Sequence, residues 1–124
     1  MQNLLFISNN PRVKLLRDQL QAQVRMRVDL VTDFDHGLKD VFEKRPAVVC
    51  IQEQIAGVTG ESVARHIQLL LGSDAPSFVL LHDGSGKARA VPGVFSHLIN
   101  LTEPPELLHN HLCKALQVLL GDRW

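Results

Sequence analysis

Polar residues stand at the ends of four apolar runs in this 124-residue chain. Ser8 and Asn9 follow residues 4–7, Gln52 follows 48–51, His82 follows 78–81, and Asn100 follows the short run at 98–99. A hydroxyl and carboxamides donate and accept hydrogen bonds, and their oxygens can touch a cation without balancing its charge. The carboxylates of Glu53 and Asp83 come one residue later. This set suits hydrogen bonding more than acid–base work or metal binding.

Other groupings carry less. Gly84-Ser85-Gly86-Lys87 lacks the GxxxxGK[ST] spacing of a phosphate loop, and Ala88 stands where the Mg²⁺-binding hydroxyl belongs. Ser85, His82 and Asp83 are near neighbours in a glycine-rich stretch without a GxSxG elbow. His66, His97, His109 and His111 read as residues of helices or a strand end without an i, i+4 partner, and His109 and His111 face different ways on a helix. Cys50 and Cys113 lack CxxC spacing and read as core or near-core thiols. No catalytic residue, metal site or cofactor is expected.

The elements that must position these residues alternate regularly. Residues 4–7 are continuously apolar, as expected of a strand covered on both faces. Asn10-Pro11 then supplies an N-cap and a proline at the first helical position, with Val13, Leu16 and Leu20 on one face. A second strand is expected over 27–31, followed by a short helix capped by Asp35 and bearing Leu38, Val41 and Phe42. After Pro46, residues 48–51 form a third strand, and a glycine-punctuated loop leads to a helix after Gly60. That helix carries Val63, Ile67 and Leu70 on one face and closes at Gly72.

A fourth strand covers 78–81, and a shorter fifth falls within 98–101. Between them, residues 82–93 hold three glycines and Pro92, which disfavour a helix and predict a loop or a single turn. Thr102-Glu103-Pro104-Pro105 opens a last helix with Leu108, Leu112, Ala115 and Leu119 inward. This alternation predicts one α/β domain over 1–124, a doubly wound five-stranded parallel sheet of order 2-1-3-4-5 with an eroded fourth helix. On such sheets ligands bind beyond the carboxyl ends of the strands, where Ser8, Asn9, Gln52, His82 and Asn100 stand.

Composition narrows the function classes. Thirteen basic and thirteen acidic residues cancel, leaving no electrostatic footprint for nucleic acid or an anionic membrane. Hydrophobic residues make up 45% and charged residues 21%, the balance of an ordinary globular domain. No apolar stretch approaches the roughly 20 residues needed to span a bilayer, and the N-terminus lacks a signal-peptide pattern. A cytoplasmic location is expected.

The run Pro46-Ala47-Val48-Val49-Cys50-Ile51-Gln52-Glu53-Gln54-Ile55-Ala56-Gly57-Val58-Thr59-Gly60 resembles the centre of a receiver domain from a two-component response regulator. The resemblance extends over the chain, including LLFISNNPRVKLL at its start. It implies a flavodoxin-like fold and a degenerate phosphorylation pocket of Ser8, Asn9, Gln52, Leu81, His82 and Asn100. The phospho-accepting aspartate falls on Gln52 and the acidic pair on Ser8 and Asn9. The lysine of the family's Lys-Pro step falls on Asn100, with Leu101 in place of the proline. The Thr/Ser switch position falls on Leu81 or His82.

Each substitution removes charge that the family's chemistry needs. A dication about 4 Å from one carboxylate gains roughly 8 kcal/mol gross at an effective dielectric near 20, before desolvation. Mg²⁺ favours hard carboxylate oxygens, and an amide is too poor a nucleophile to form an acyl phosphate. The expectation is a pseudo-receiver in signal transduction that is not phosphorylated at Gln52 and works through protein–protein contacts. Its partner is a signalling component or fused output domain, with homodimer contacts also open. Two alternatives stand beside it: a small-molecule sensor using the neutral pocket, and a receiver phosphorylated at a non-standard acceptor such as Glu53 or Asp83.

Overall fold

The computed structural model describes residues 2–84 and 93–124. Five parallel strands, β1 (Asn3–Ile7), β2 (Arg27–Val31), β3 (Val48–Gln52), β6 (Ser77–His82) and β7 (Phe95–Asn100), form a sheet of order β2-β1-β3-β6-β7. In strand-to-strand sequence this is the expected 2-1-3-4-5. A separate antiparallel hairpin, β4 (Gln54–Ile55) with β5 (Val58–Thr59), follows β3 directly. The α-helices among the described residues are α1 (Pro11–Gln23), α2 (Phe34–Lys44), α3 (Gly60–Leu71) and α4 (Pro105–Leu120).

The continuous apolar strands are explained by two cores. Leu4 and Phe6 of β1 join Cys50, Val79 and Ile99 against α1 and α4. Leu5 and Ile7, pointing the other way on the pleat, join Val49, Ile51 and Phe78 against α2 and α3. Every residue of β1 is buried, as a central parallel strand requires.

Helix starts follow their side chains. Asn10 Oδ1 accepts from Arg12 N at 2.9 Å, with Pro11 at the first helical position, as expected. For α2 the cap is Asp33, two residues before the expected Asp35; Asp33 is extended and its Oδ1 accepts from His36 N at 2.8 Å. In α3, Val63 and Ile67 are buried as expected, but Leu70 is 57% exposed and Ala64 takes the inward place. In α4, Leu108, Leu112 and Ala115 are buried while Leu119 is half-buried; Leu116 and Leu120 complete the face.

The fifth strand of the sheet starts at Phe95, three residues earlier than expected, because Phe95 reaches the α2–α3 core. Of the segment 82–93, expected to be a loop or single turn, His82 ends β6 and residues 85–92 lie outside the described residues. No helix among the described residues is long and apolar enough to cross a membrane.

Candidate functional site: the carboxyl edge of the sheet

Strand register brings the predicted residues to one edge. Ile7 pairs with Ile51 across β1 and β3, so Ser8 and Gln52 leave the sheet side by side. Ser8 is 1% exposed, and its N–H continues the ladder to Val31 O at 3.0 Å. Its Oγ donates to Gln52 Oε1 at 2.6 Å and accepts from Asn10 N at 3.0 Å. Gln52 Oε1 also accepts from Asn9 N at 3.1 Å. Gln52 Nε2 donates to Asn9 Oδ1 at 2.9 Å and to Gln54 O at 2.8 Å. A carboxamide has two donor hydrogens and two acceptor lone pairs, so Gln52 is saturated by the protein. Ser8, Asn9 and Gln52 form a closed, uncharged network.

The other predicted residues are disposed differently. Leu81, the register partner of Gln52, is fully buried in the α1–α4 core. His82, at the end of β6, is half-buried, and its Nδ1 accepts from Gly84 N at 3.1 Å. Asn100 turns toward its own loop: its Oδ1 accepts from Thr102 N at 3.0 Å and from Thr102 Oγ1 at 2.7 Å, an Asx-type turn. Asn9, Gln52, Leu81 and His82 line a cleft of about 1030 Å³ at the sheet edge. Glu53, Glu61 and Asp83 also line it, giving an acidic surround to a neutral centre. Glu61 is paired with Arg65 at 3.0 Å. Alternation predicts that Glu53 points away from Gln52, yet both reach the cleft, because the chain leaves the sheet at this point.

Residues outside the predicted pocket hold this geometry. A Cβ at Gly60 would overlap the carbonyl oxygen of Gln52, so only glycine lets α3 start against the end of β3. Ala56 and Gly57, with φ of 52° and 82°, form the two-residue turn of the β4–β5 hairpin that presents Gln54 O to Gln52. Arg12 donates to Leu101 O and Glu103 O, tying the first turn of α1 to the β7–α4 connection. A cation in the first turn of a helix is disfavoured by the helix dipole, and that misplacement was the available sign of a partner elsewhere.

The two thiols are unlike each other. Cys50 is fully buried between strands, and burial pushes its thiol far above the ordinary range. Cys113 is half-buried and its thiol is also raised by burial. Its Sγ stands 3.5 Å from Nε2 of His109, one turn earlier on α4. His109 therefore does have an i, i+4 neighbour of ligand type, contrary to the sequence reading.

No family model and no curated protein matches the sequence. Solved structures match over nearly the whole chain. The response regulator domain of CheB from Thermotoga maritima gives a TM-score of 0.77 at 11% identity, covering 96% of each chain. The response regulator TrrA of the same organism, in complex with Mg²⁺–BeF, gives 0.78 at 20% identity, covering 97% of this chain and 100% of that one. The chemotaxis response regulator CheY4 of Vibrio cholerae gives 0.72 at 15% identity, covering 97% of this chain and 99% of that one. The fold is that of a receiver domain. On this receiver fold the closed Ser8–Asn9–Gln52 network lies at the carboxyl edge of the sheet, and Asn100 is engaged with Thr102 instead of the network.

Proposed function

We propose that this receiver-fold chain is a signalling module that acts through protein contacts and is not phosphorylated at its strand-end site. The observation that carries the reading is the saturation of Gln52 by four hydrogen bonds within the protein. The TrrA structure holds Mg²⁺–BeF; here the network offers a dication no carboxylate at Ser8, Asn9 or Gln52 and no lone pair of Gln52 left over. Another neighbour, TrrA with the histidine kinase ThkA, is a protein complex, 18% identical to this chain with a TM-score of 0.76. It supports a protein as the partner class. The surface proposed for contact is α4 with the β6–β7 connection, homodimer contacts included.

The test is a titration with Mg²⁺ and beryllofluoride followed by amide NMR. The expected result is no saturable shift at Ser8, Asn9 and Gln52. Shifts centred there, or radiolabel from acetyl phosphate retained on the purified chain, overturn the reading. Retention lost in Glu53→Gln or Asp83→Asn would assign the non-standard acceptor instead. A second reading, a small-molecule sensor, is favoured by the size of the 1030 Å³ cleft. It predicts a specific rise in melting temperature with one metabolite and chemical shifts along the cleft.

A further inference from the structure

The two edges of the five-stranded sheet are built differently. At β2 the edge carries charge: Arg27 and Asp29 pair at 2.8 Å, and Lys44 of α2 stands 4.0 Å from the same carboxylate. Charged side chains on an edge strand oppose its pairing with another chain. At the opposite edge, β7 reads Phe-Ser-His-Leu-Ile-Asn, without a lysine, arginine, aspartate or glutamate. Among the described residues its one strand neighbour is β6.

The ladder fixes which backbone groups face outward. Leu101 N donates to His82 O at 2.7 Å, so at a period of two Ile99 and His97 also turn their backbone toward β6. Leu98 and Asn100 turn theirs to the open edge. Asn100 O already accepts from Glu103 N at 3.3 Å, whereas Leu98 presents both its N–H and its C=O. In an antiparallel hydrogen-bonded pair each residue gives one N–H and takes one with its C=O. Leu98 is therefore complementary to itself.

A helix flank continues this edge. Glu106, His109 and Asn110 of α4 line a groove against α1. That leaves Leu107 and Val118, on one stripe of α4, on the flank away from α1 and beside β7. They are 44% and 73% exposed.

We propose that the β7 edge pairs antiparallel with the β7 edge of a second copy of this chain, about a two-fold axis at Leu98. Leu98 then meets Leu98 of the second copy, and Asn100 lies opposite its Ser96. An axis one residue further on would have to use Asn100 O, which is already engaged. The axis is normal to the sheet, so α4 of both copies stays on one face and the Leu107–Val118 flanks turn toward each other. Two-fold symmetry closes the assembly at two copies. The inference rests on the reading above only for a protein being the partner, and not on the state of Gln52.

The test is sedimentation of the full chain over a concentration series, with amide hydrogen exchange on the same samples. The expected result is a reversible dimer in which the Leu98 amide becomes protected as the dimer fills. Leu98→Glu and Leu98→Lys each set like charges across the axis, and the dissociation constant of each is expected to rise at least about tenfold. Mixed one to one, they set opposite charges across it and the dimer returns. Val118→Ser, at a position exposed in the single chain, is expected to raise the dissociation constant at least about threefold. The proposal is overturned by a monomer at every concentration or by a dimer whose Leu98 amide stays unprotected. It is overturned equally by folded charge variants that dimerise like wild type or are not rescued on mixing, or by an unchanged dissociation constant in Val118→Ser. None of these results alters the outcome of the Mg²⁺ and beryllofluoride titration, so the two readings fail separately.

Discussion

Ser8 Oγ donates to Gln52 Oε1 over 2.6 Å, joining residues 44 apart in sequence where β1 and β3 end together. The hydroxyl is buried, so its donor depends on that acceptor. A buried polar group left without its partner costs about 1–3 kcal/mol. The Gln52 amide is thus a structural part of the sheet edge as well as a neutral residue within it.

Gln52→Glu tests the donor half of the amide at nearly constant shape. The carboxylate still accepts from Ser8 and Asn9 N, but it sets a charged oxygen against Asn9 Oδ1 and Gln54 O, which Nε2 meets at 2.9 and 2.8 Å. The variant is expected to lose about 1–3 kcal/mol at neutral pH. Protonation restores a donor, so the folded-state pKa of the new carboxyl is raised above its unfolded value. The deficit is therefore smallest below the unfolded pKa and grows as pH rises through the folded one. Urea midpoints of variant and wild type across that range check it; a deficit independent of pH contradicts the assignment.

Gly60→Ala tests the approach of α3 to the end of β3. The added methyl meets the Gln52 carbonyl oxygen, which is backbone and cannot rotate aside. Forced overpacking of this kind costs about 1–3 kcal/mol or more. The urea midpoint is expected to fall, with the Gln52 side-chain NH₂ resonances displaced because Gln54 O and Asn9 move with the strand end. An unchanged midpoint shows that α3 can shift without cost.

The fold was legible because its strands are buried on both faces and its first helix begins with Asn10-Pro11. Boundaries were less so. Asp33 and Asp35 are equally good caps by type, and only the extended backbone at Asp33 decides between them. Leu70 keeps the seven-residue spacing from Val63, yet at the last turn of α3 it stands 57% exposed. The β4–β5 hairpin was hidden because its turn is Ala56-Gly57 and not Asn-Gly. At the site, strand ends placed Ser8, Asn9 and Gln52 together. Asn100 carried a local signal, a hydroxyl residue two positions on, that competes with any long-range role.

Ala56 is the position where a better residue is easily named. An L-residue in the left-handed region costs roughly 1–2 kcal/mol, which asparagine avoids in part. Ala56 is exposed with φ 52°, and Gly57 already suits the second turn position. Ala56→Asn is expected to stabilise by about 0.5–1 kcal/mol, read as a higher urea midpoint with unchanged Gln52 resonances. A lower midpoint shows that the hairpin turn is not of this type in solution.

Asp33 gives the fold a pH dependence at low pH. Its carboxyl is held below the ordinary aspartate value of 3.8, first by the hydrogen bond from His36 N and then by the bond to the His36 ring, Nδ1 to Oδ2 at 2.6 Å. A depressed folded-state pKa contributes stability that is fully present above the unfolded value and is lost as pH falls through the folded one. The group is exposed, so the effect is confined to the first turn of α2. Carboxyl NMR is expected to show Asp33 titrating below 3.8, with amide exchange at His36 and Gly37 rising over the same interval. Asp33→Asn keeps an acceptor for His36 N and should remove the dependence while leaving α2 capped. Titration of Asp33 at or above 3.8 would show that the His36 hydrogen bonds do not favour its charged form.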